Sequence, residues 1–192
     1  MNDLLEIRWH GRGGQGVKTA ALLLADVLFY SGKYVQGFPE YGPERMGAPV
    51  TAYNRISNDK IRVHSNIYEP GYVAVVDHSL IRSANVTKGL KKDGAILINT
   101  KLDPEEAKSL LKDFEGKVFT IDAETISIDI LGKYFPNMPM LAGIVKMTKM
   151  MDENVFLENI ETSLSRKFAS KPQLVEGNMQ VIKRSLEEVK GI

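Results

Sequence analysis

The chain has 192 residues, of which 43% are hydrophobic and 26% are charged, a composition typical of a folded, water-soluble protein and not of a disordered one. Its 25 Lys and Arg residues stand against 24 Asp and Glu residues, so the net charge is +1 and neither nucleic acid nor an anionic membrane is an expected partner. The absence of cysteine excludes disulfides, zinc–thiolate sites and cysteine-ligated iron–sulfur clusters held by this chain.

The length predicts a single domain spanning residues 1–192, and the sequence predicts a cytoplasmic location. The first residues lack the basic start and the apolar core of a secretory signal. The longest apolar stretch, residues 20–30, is interrupted by Asp26 and is too short to cross a bilayer.

The first predicted strand, residues 4–9, leads into a glycine-rich turn that is followed by an apolar helix over residues 17–30. Gly11, Gly13 and Gly16 fit the spacing G-x-G-x-x-G, and the position between a strand and a helix is typical of phosphate-binding turns. Glycine permits a sharp turn and a close backbone approach, while the helix start offers free N–H groups and the positive end of its dipole. A tight connection without a ligand is the alternative.

Charged side chains beside the turn favour the anion-binding interpretation. The sequence does not match G-x-x-x-x-G-K-[ST], because only Val17 separates Gly16 from Lys18, and this argues against a nucleoside triphosphatase. The expected ligand-binding residues of the turn are Gly11, Arg12, Gly13, Gly14, Gln15, Gly16 and Lys18.

A second short strand is predicted over residues 33–37, where a dinucleotide-binding domain carries an acidic residue for the ribose. Gln36 stands near that position, so the nicotinamide signature is incomplete. The loop that follows, residues 37–49, is rich in Gly and Pro but also carries two aromatics, two acids and Arg45. Such a loop either binds a ligand or partner, or is an ordered connection whose aromatics cover the sheet edge.

The middle of the chain alternates predicted strands and helices. Residues 50–56 and 60–63 alternate apolar and polar side chains around residues 57–59, which predicts an inserted β-hairpin. Strands are then predicted over residues 72–76, 95–98 and 118–121, with a helix over 86–90 and another that begins with a capping Asp103 and a proline.

This alternation predicts an α/β fold, a Rossmann-like, doubly wound and mostly parallel sheet, with a helical C-terminal third. Ligands of such sheets bind beyond the carboxyl ends of the strands. The residues expected to gather at that edge are His10, Gly11, Asp77, Asn99 and Asp122.

The C-terminal third predicts helices with two apolar faces. Met147, Met150 and Met151 are expected in the core. One face repeats every four residues, at Phe156, Ile160, Leu164 and Phe168. The other is a narrow seam that packs either on the same domain or on another subunit, at Val175, Met179, Ile182, Leu186 and Val189.

No catalytic or metal-binding residue is expected in this chain. Its three histidines, His10, His64 and His78, lie far apart and have no cysteine partner. Although Asp77, His78 and Ser79 are the residue types of a catalytic triad, side chains adjacent in sequence point in different directions and no G-x-S-x-G turn is present.

Three motifs together resemble the gamma subunit of the 2-oxoacid:ferredoxin oxidoreductases, with pyruvate:ferredoxin oxidoreductase as the nearest type. They are the turn Gly-Arg-Gly-Gly-Gln-Gly of residues 11–16, the loop Glu-Tyr-Gly-Pro-Glu-Arg-Met-Gly-Ala of residues 40–48, and the strand that ends in Val-Val-Asp at residues 75–77. The likeness covers nearly the whole chain. In the family the loop often ends in Arg-Gly-Gly, whereas this sequence has Arg-Met-Gly-Ala over residues 45–48.

The resemblance implies one subunit of an enzyme that decarboxylates a 2-oxoacid on thiamine diphosphate, reduces ferredoxin through iron–sulfur clusters and forms acetyl-CoA or another acyl-CoA. It implies alpha, beta and delta-type partner subunits that hold the thiamine diphosphate, magnesium and clusters, and an isolated chain without activity. It associates this subunit with coenzyme A, which we expect at the glycine turn and Arg45, with residues 41–47 facing a partner subunit.

Three other functions stay open at this stage. A nicotinamide- or flavin-binding oxidoreductase domain shares the glycine spacing. The matching subunit of an indolepyruvate:ferredoxin oxidoreductase has the same motifs. A non-catalytic scaffold subunit would use the turn only as a connection.

Overall fold

The computed structural model describes residues 4–40 and 45–192. The described chain alternates strands and helices, apart from three consecutive strands after the first helix, before it ends in four consecutive helices and a short last strand. In order, the elements are β1 Leu5–Arg12, α1 Val17–Phe29, β2 Tyr34–Pro39, β3 Pro49–Ser57, β4 Tyr72–Val75, α2 Leu80–Ser83, β5 Ala95–Asn99, α3 Pro104–Ser109, β6 Lys117–Ile121, α4 Ala123–Leu131, α5 Asn137–Thr148, α6 Glu153–Lys167, α7 Pro172–Glu188 and β7 Lys190–Gly191.

The strands form one seven-stranded sheet in the order β2-β3-β1-β4-β5-β6-β7. The central strands β1, β4, β5 and β6 run parallel to one another, while β3 pairs antiparallel with β1 and β2, and β7 pairs antiparallel with β6. The predicted mixed α/β fold with a parallel sheet at its centre is therefore confirmed.

Helices cover both faces of the parallel strands, which explains the continuous apolar runs of β4 and β5. On one face, Ala74 and Leu97 pack with α1 and the C-terminal helices. On the other face, Val73, Val75 and Ile96 pack with the shorter helices α2 and α3. The central strands thus form a rigid platform, and the loops at their carboxyl ends are held by it.

The glycine turn begins in a firmly anchored strand. The indole N–H of Trp9, which is fully buried in β1, donates to the amide oxygen of Asn54 at 2.8 Å. The amide nitrogen of Asn54 in turn donates to the backbone oxygen of Ala21 at 2.8 Å. Strands β1 and β3 are in this way tied to α1 through two buried hydrogen bonds.

The predicted hairpin over residues 50–56 and 60–63 is wrong in its second arm. Residues 60–63 form no strand, and β3 pairs instead with β2 along the register from Tyr34–Ser57 to Pro39–Ala52. The physical reason is the buried guanidinium of Arg55, which donates to the backbone oxygens of Val63 at 3.3 Å and Ser65 at 3.0 Å. Because these carbonyls accept hydrogen bonds from Arg55, they are not paired with a neighbouring strand. The side chain of Val63 is 48% exposed.

The predicted helix over residues 86–90 is also wrong, since the short helix after β4 is α2 and residues 86–89 form turns. Another buried arginine accounts for this difference. The guanidinium of Arg8 donates to the backbone oxygens of Val86 at 3.1 Å and Lys88 at 2.6 Å. The segment therefore supplies two carbonyls to a buried cation, and its bonds are not those of a continuous helix.

The helical C-terminal third is confirmed, and the seam of α7 packs on its own chain. Met179, Ile182 and Leu186 are buried in the main core, with Val175 and Val189 partly buried against it. Helix α7 contacts α4, α5 and α6. Within residues 4–40 and 45–192, no helix has the length and apolar content that a membrane crossing requires.

Candidate functional site

A cleft of about 370 Å³ lies between the glycine turn and the loop that precedes β3. Six of the expected ligand-binding residues line it, whereas Gly11 and Gln15 lie outside its lining. The lining residues are Arg12, Gly13, Gly14, Gly16, Val17, Lys18, Pro39, Glu40, Arg45, Met46, Val50 and Thr51. The turn and Arg45 are thus brought together at one cleft.

The backbone of the turn opens directly into α1. Gly14 and Gly16 have φ angles of 94° and 73°, in the left-handed region that favours glycine. Gly16 is the N-cap residue of α1, and it has no side chain to cap the helix. The N–H groups of the first helical turn have no intrahelical acceptor, and Val17 and Lys18, which carry two of them, line the cleft.

Gly13 holds the opposite wall of the cleft in place. Its N–H donates to the backbone oxygen of Ala48 at 2.9 Å, and its carbonyl accepts from the N–H of Gly47 at 3.1 Å. A Cβ at position 13 would lie 2.3 Å from the backbone oxygen of Arg45. Only glycine therefore lets residues 45–48, here called the facing segment, dock against the turn.

Gln15 and the backbone of Arg12 form hydrogen bonds within the turn. The N–H of Gln15 donates to the backbone oxygen of Arg12 at 3.1 Å. The side-chain oxygen of Gln15 accepts from the N–H of Arg12 at 2.8 Å. Gly11 is fully enclosed, because a Cβ there would lie 2.4 Å from Val17 Cγ2. Gln15 and Gly11 shape the turn, while its open N–H groups lie nearer the helix.

The Arg12 guanidinium links the turn to the facing segment and to the loop after β4. Its Nε lies 3.2 Å from Asp77 Oδ2, Nη1 donates to the backbone oxygen of Gly47 at 3.0 Å, and Nη2 donates to Ser79 Oγ at 2.8 Å. The amide nitrogen of Gln15 donates to the same Asp77 Oδ2 at 2.7 Å. Both Asp77 and Arg12 are therefore hydrogen-bonded several times.

The carboxylate of Asp77 is stabilised in its charged form. Partial burial would raise its pKa, but the hydrogen bonds from Ser79 and Gln15, together with the charge of Arg12, outweigh burial and lower the pKa below the ordinary value. Ser79 donates to Asp77 Oδ1 from its N–H at 3.0 Å and from its hydroxyl at 2.5 Å. Asp77 is an acceptor of hydrogen bonds here, and its contacts are not those of a general acid or base.

The other residues expected at the carboxyl edge serve the fold. Asn99 donates to the backbone oxygen of Val76 at 2.9 Å and to the Tyr134 hydroxyl at 3.1 Å, and its side-chain oxygen accepts from Ala123 N–H at 3.0 Å. Asp122 caps α4 by accepting from the N–H of Thr125 at 3.0 Å. Both lie at carboxyl ends of neighbouring parallel strands, but of the expected acids and amides there only Asp77 bonds to the glycine turn.

His10 lies in a partly buried basic pair that the sequence did not reveal. Its Nε2 accepts from Arg8 Nε at 2.9 Å. Burial and then the charge of Arg8 lower the pKa of His10 from 6.5 to about 4. The imidazole is therefore neutral near pH 7 and serves as a hydrogen-bond acceptor.

Gln36 is not placed for a nicotinamide ribose. Strand β3 lies between β2 and β1, whereas the second strand of a dinucleotide-binding domain lies beside the first. The side chain of Gln36 accepts from Arg55 Nη1 at 2.9 Å and donates to the backbone oxygen of Val63 at 3.0 Å. Its hydrogen bonds therefore stabilise the fold at β2, on the side of β3 away from β1.

Sequence reasoning missed Pro39, Glu40, Met46, Val50 and Thr51 as lining residues. For the first three the signal was the unusual composition of the loop over residues 37–49, which marked the loop and not its individual positions. Val50 and Thr51 lie beyond that loop, in β3. Glu40 carries an acid to the cleft and accepts from the Tyr53 hydroxyl at 3.2 Å. The rest of the expected partner-facing loop, residues 41–44, lies outside the described residues.

In the part of the chain that the structure describes, no group of three or more His, Cys, Asp or Glu side chains is arranged to hold a metal ion. The cleft itself combines open backbone N–H groups with the side chains of Lys18 and Arg45, and one acid. Such a set can bind an anion by hydrogen bonds and charge.

Known proteins are similar to this chain along nearly its whole length. The family described as pyruvate ferredoxin/flavodoxin oxidoreductase matches residues 6–188. The pyruvate/ketoisovalerate oxidoreductases common subunit gamma of Pyrococcus abyssi is 42% identical over 185 residues, which cover 96% of this chain and 97% of that protein.

Solved structures also share the fold. The crystal structure of pyruvate oxidoreductase subunit PORC from Thermotoga maritima is 38% identical, has a TM-score of 0.85 and matches over 98% of both chains. The 2-oxoglutarate:ferredoxin oxidoreductase of Magnetococcus marinus, solved with 2-oxoglutarate, coenzyme A and succinyl-CoA bound, is 19% identical with a TM-score of 0.72, over 95% of this chain and 30% of that chain. The chain described here belongs to the pyruvate ferredoxin/flavodoxin oxidoreductase family.

Proposed function

We propose that this chain is the gamma subunit of a multi-subunit 2-oxoacid:ferredoxin oxidoreductase that acts on pyruvate, and that it helps to bind coenzyme A, the acceptor of the acetyl group. Family membership and the gamma-subunit relative of Pyrococcus abyssi support the first part. The cleft at the glycine turn supports the second part and is the observation that carries it.

The phosphates of coenzyme A suit the chemistry of this cleft. The open N–H groups at the start of α1 and the positive end of its dipole attract a phosphate. Lys18 is exposed in the first turn of that helix, and Arg45 lies across the cleft in the facing segment. In the proposal these two cations bind phosphate oxygens from opposite sides, while Gly14 and Gly16 let the ligand approach the backbone.

This chain positions one substrate, and the redox chemistry takes place elsewhere. When bound in the assembly, thiamine diphosphate with magnesium supplies decarboxylation, and the iron–sulfur clusters supply electron transfer to ferredoxin. A chain without cysteine offers no thiolate to such a cluster, so the proposal gives these groups to alpha, beta and delta-type subunits. A single domain over residues 1–192 and a cytoplasmic location belong to the same proposal.

The test is a coenzyme A titration of the assembled enzyme that carries Lys18→Ala or Arg45→Ala. Each change removes a charge-assisted hydrogen bond to phosphate, so the KM for coenzyme A should rise about tenfold. The kcat at saturating coenzyme A and the KM for pyruvate should stay close to those of the unchanged enzyme, since neither residue touches the reacting carbon in this proposal.

Lys183→Ala is the matched control, because Lys183 is an exposed lysine on α7 outside the cleft. An unchanged KM for coenzyme A in both cleft variants would refute the coenzyme A site. If the chain purifies from its native cells without companion subunits, and the preparation has no pyruvate oxidation activity, the gamma-subunit proposal itself is refuted.

A further inference from the structure

We infer that Asp77 is a positioning residue for the cleft: it acts through Arg12 and Gln15 to hold the glycine turn and the facing segment at the separation that the bound anion requires. The inference rests on the proposed coenzyme A site and assigns it a residue outside the cleft lining. Asp77 follows β4, a strand that lies beside β1 and is not part of the turn.

The first contact of Asp77 fixes the shape of the turn. Its Oδ2 accepts from the amide nitrogen of Gln15 at 2.7 Å, and the oxygen of that same amide accepts from the backbone N–H of Arg12 at 2.8 Å. The amide of Gln15 is thereby held at both ends, with one end on β1 and the other on the loop after β4. Rotation of this amide would release the N–H of Arg12 and relax the turn just before Gly16.

The second contact fixes the width of the cleft. The Arg12 guanidinium lies against Asp77 Oδ2 at 3.2 Å and at the same time donates to the backbone oxygen of Gly47 at 3.0 Å. Gly47 belongs to the facing segment, which carries Arg45. A planar guanidinium offers its donors in a fixed geometry, so its orientation on Asp77 sets where the Gly47 carbonyl lies.

Asp77 is itself held firmly enough to serve as this reference point. Its Oδ1 accepts from both the N–H and the hydroxyl of Ser79, and the same hydroxyl accepts from Arg12 Nη2 at 2.8 Å. The strand before Asp77 is buried through Val73, Ala74 and Val75. The rigid centre of the sheet is connected through Asp77 to both walls of the cleft.

This arrangement also alters the role expected for Arg12. Three of its donors are directed to Asp77, Ser79 and Gly47, and its charge is paired with a carboxylate. The cations that remain for the ligand are Lys18 and Arg45, whose side chains make no ion pair among the described residues. Arg12 then serves chiefly to connect the two walls.

The experiment measures steady-state kinetics of the assembled enzyme with Asp77→Asn. Loss of the charge weakens the hold on Arg12 and Gln15, and the KM for coenzyme A should rise about tenfold. The kcat at saturating coenzyme A and the KM for pyruvate should not change, a split that general loss of folded enzyme would not produce. Asp77→Glu keeps the charge and should recover part of the affinity.

A second background tests whether Asp77 acts through its two partners. In an enzyme that already carries Arg12→Ala and Gln15→Ala, Asp77→Asn should add less than about a twofold further rise, because coupled residues are not additive. Asp129→Asn is the control, since Asp129 forms an ion pair with Arg184 at 2.9 Å on the helical side of the molecule. It should leave the KM unchanged.

The outcomes separate this inference from the proposed function. If Lys18→Ala raises the KM for coenzyme A and Asp77→Asn does not, the positioning role is wrong and the coenzyme A site stands. If Asp77→Asn keeps its full effect without Arg12 and Gln15, the positioning role is also wrong. If neither Lys18→Ala nor Arg45→Ala raises the KM for coenzyme A, the site itself is wrong.

Discussion

At the scale of single residues, the partly buried pair of Arg8 and His10 shows how one neutral histidine makes stability depend on pH. The imidazole accepts a hydrogen bond from the guanidinium, so protonation would both remove the acceptor and place two positive charges side by side. Burial and the charge of Arg8 hold the pKa of His10 at about 4 in the folded chain, below its ordinary value of 6.5.

The expected pH dependence follows from this lowered pKa. Between pH 6.5 and pH 4 the unfolded chain binds a proton at His10 that the folded chain does not, so folding becomes less favourable as the pH falls. His10→Gln keeps an acceptor for Arg8 without this titration. The unfolding free energy of the variant should therefore fall with a shallower slope, by on the order of 2 kcal/mol less in total between pH 6.5 and pH 4.

Urea unfolding of the full chain at several pH values measures this slope for the variant and the unchanged protein. His64→Gln is the matched control, because His64 is exposed and should keep the slope of the unchanged protein. Identical slopes for His10→Gln and the unchanged protein would contradict the neutral buried state of His10.

At the scale of elements, the docking of the facing segment on the glycine turn depends on the missing side chain of Gly13. Gly13→Ala would place its Cβ 2.3 Å from the backbone oxygen of Arg45, and a backbone atom cannot turn aside as a flexible side chain can. The segment must shift, which should lower the free energy of unfolding by about 2 kcal/mol and raise the KM for coenzyme A.

Gly71→Ala, at the position immediately before β4, provides the comparison. A Cβ there meets nothing closer than the backbone oxygen of Glu6 at 3.9 Å, so its effect should stay within about 0.5 kcal/mol. The measurement is urea unfolding of both variants with a coenzyme A titration of their assemblies. Equal stabilities for the two variants would mean that the turn and the facing segment do not pack closely.

The elements that the sequence predicted are those whose pattern depends on local chemistry. Strands β4, β5 and β6 are buried on both faces and read as apolar runs, and α3 has a capping box at Asp103 with a proline in its first turn. The glycine turn was likewise visible from spacing alone, because its backbone angles require glycine at fixed positions.

The elements that sequence reasoning missed depend on contacts between distant residues. Arg8 and Arg55 lie in strands, where arginine is ordinarily exposed, and nothing nearby in sequence marks them as buried. The Arg8 guanidinium donates to the carbonyl of Val86, in a segment predicted to be a helix. The Arg55 guanidinium donates to the carbonyl of Val63, in a segment predicted to be a strand. For the same reason the link between Asp77 and Gln15, which are 62 residues apart, could not be read from the sequence.

At the scale of the whole molecule, the face of the sheet under α1 and the cleft at the carboxyl end of β1 differ in how much surface they leave available to partner subunits. The face under α1 is covered by α5, α6 and α7, and the apolar seam of α7 packs into the core on that face. The cleft lies at the carboxyl end of β1, with Met46 86% exposed at its rim. We therefore expect partner subunits to approach the cleft side, and we do not expect the seam of α7 to hold the assembly together.

Ile182→Ala tests this division of the molecule. Ile182 is fully buried in the core under α7, so its truncation should lower the free energy of unfolding of the full chain by about 3 kcal/mol. The subunit composition of the assembly, measured by native mass spectrometry below the unfolding temperature, should stay the same. Leu174→Ala, at a position 37% exposed near the start of the same helix, should change neither quantity appreciably. A stable Ile182→Ala chain that fails to join its partners would instead place the seam of α7 at a subunit interface.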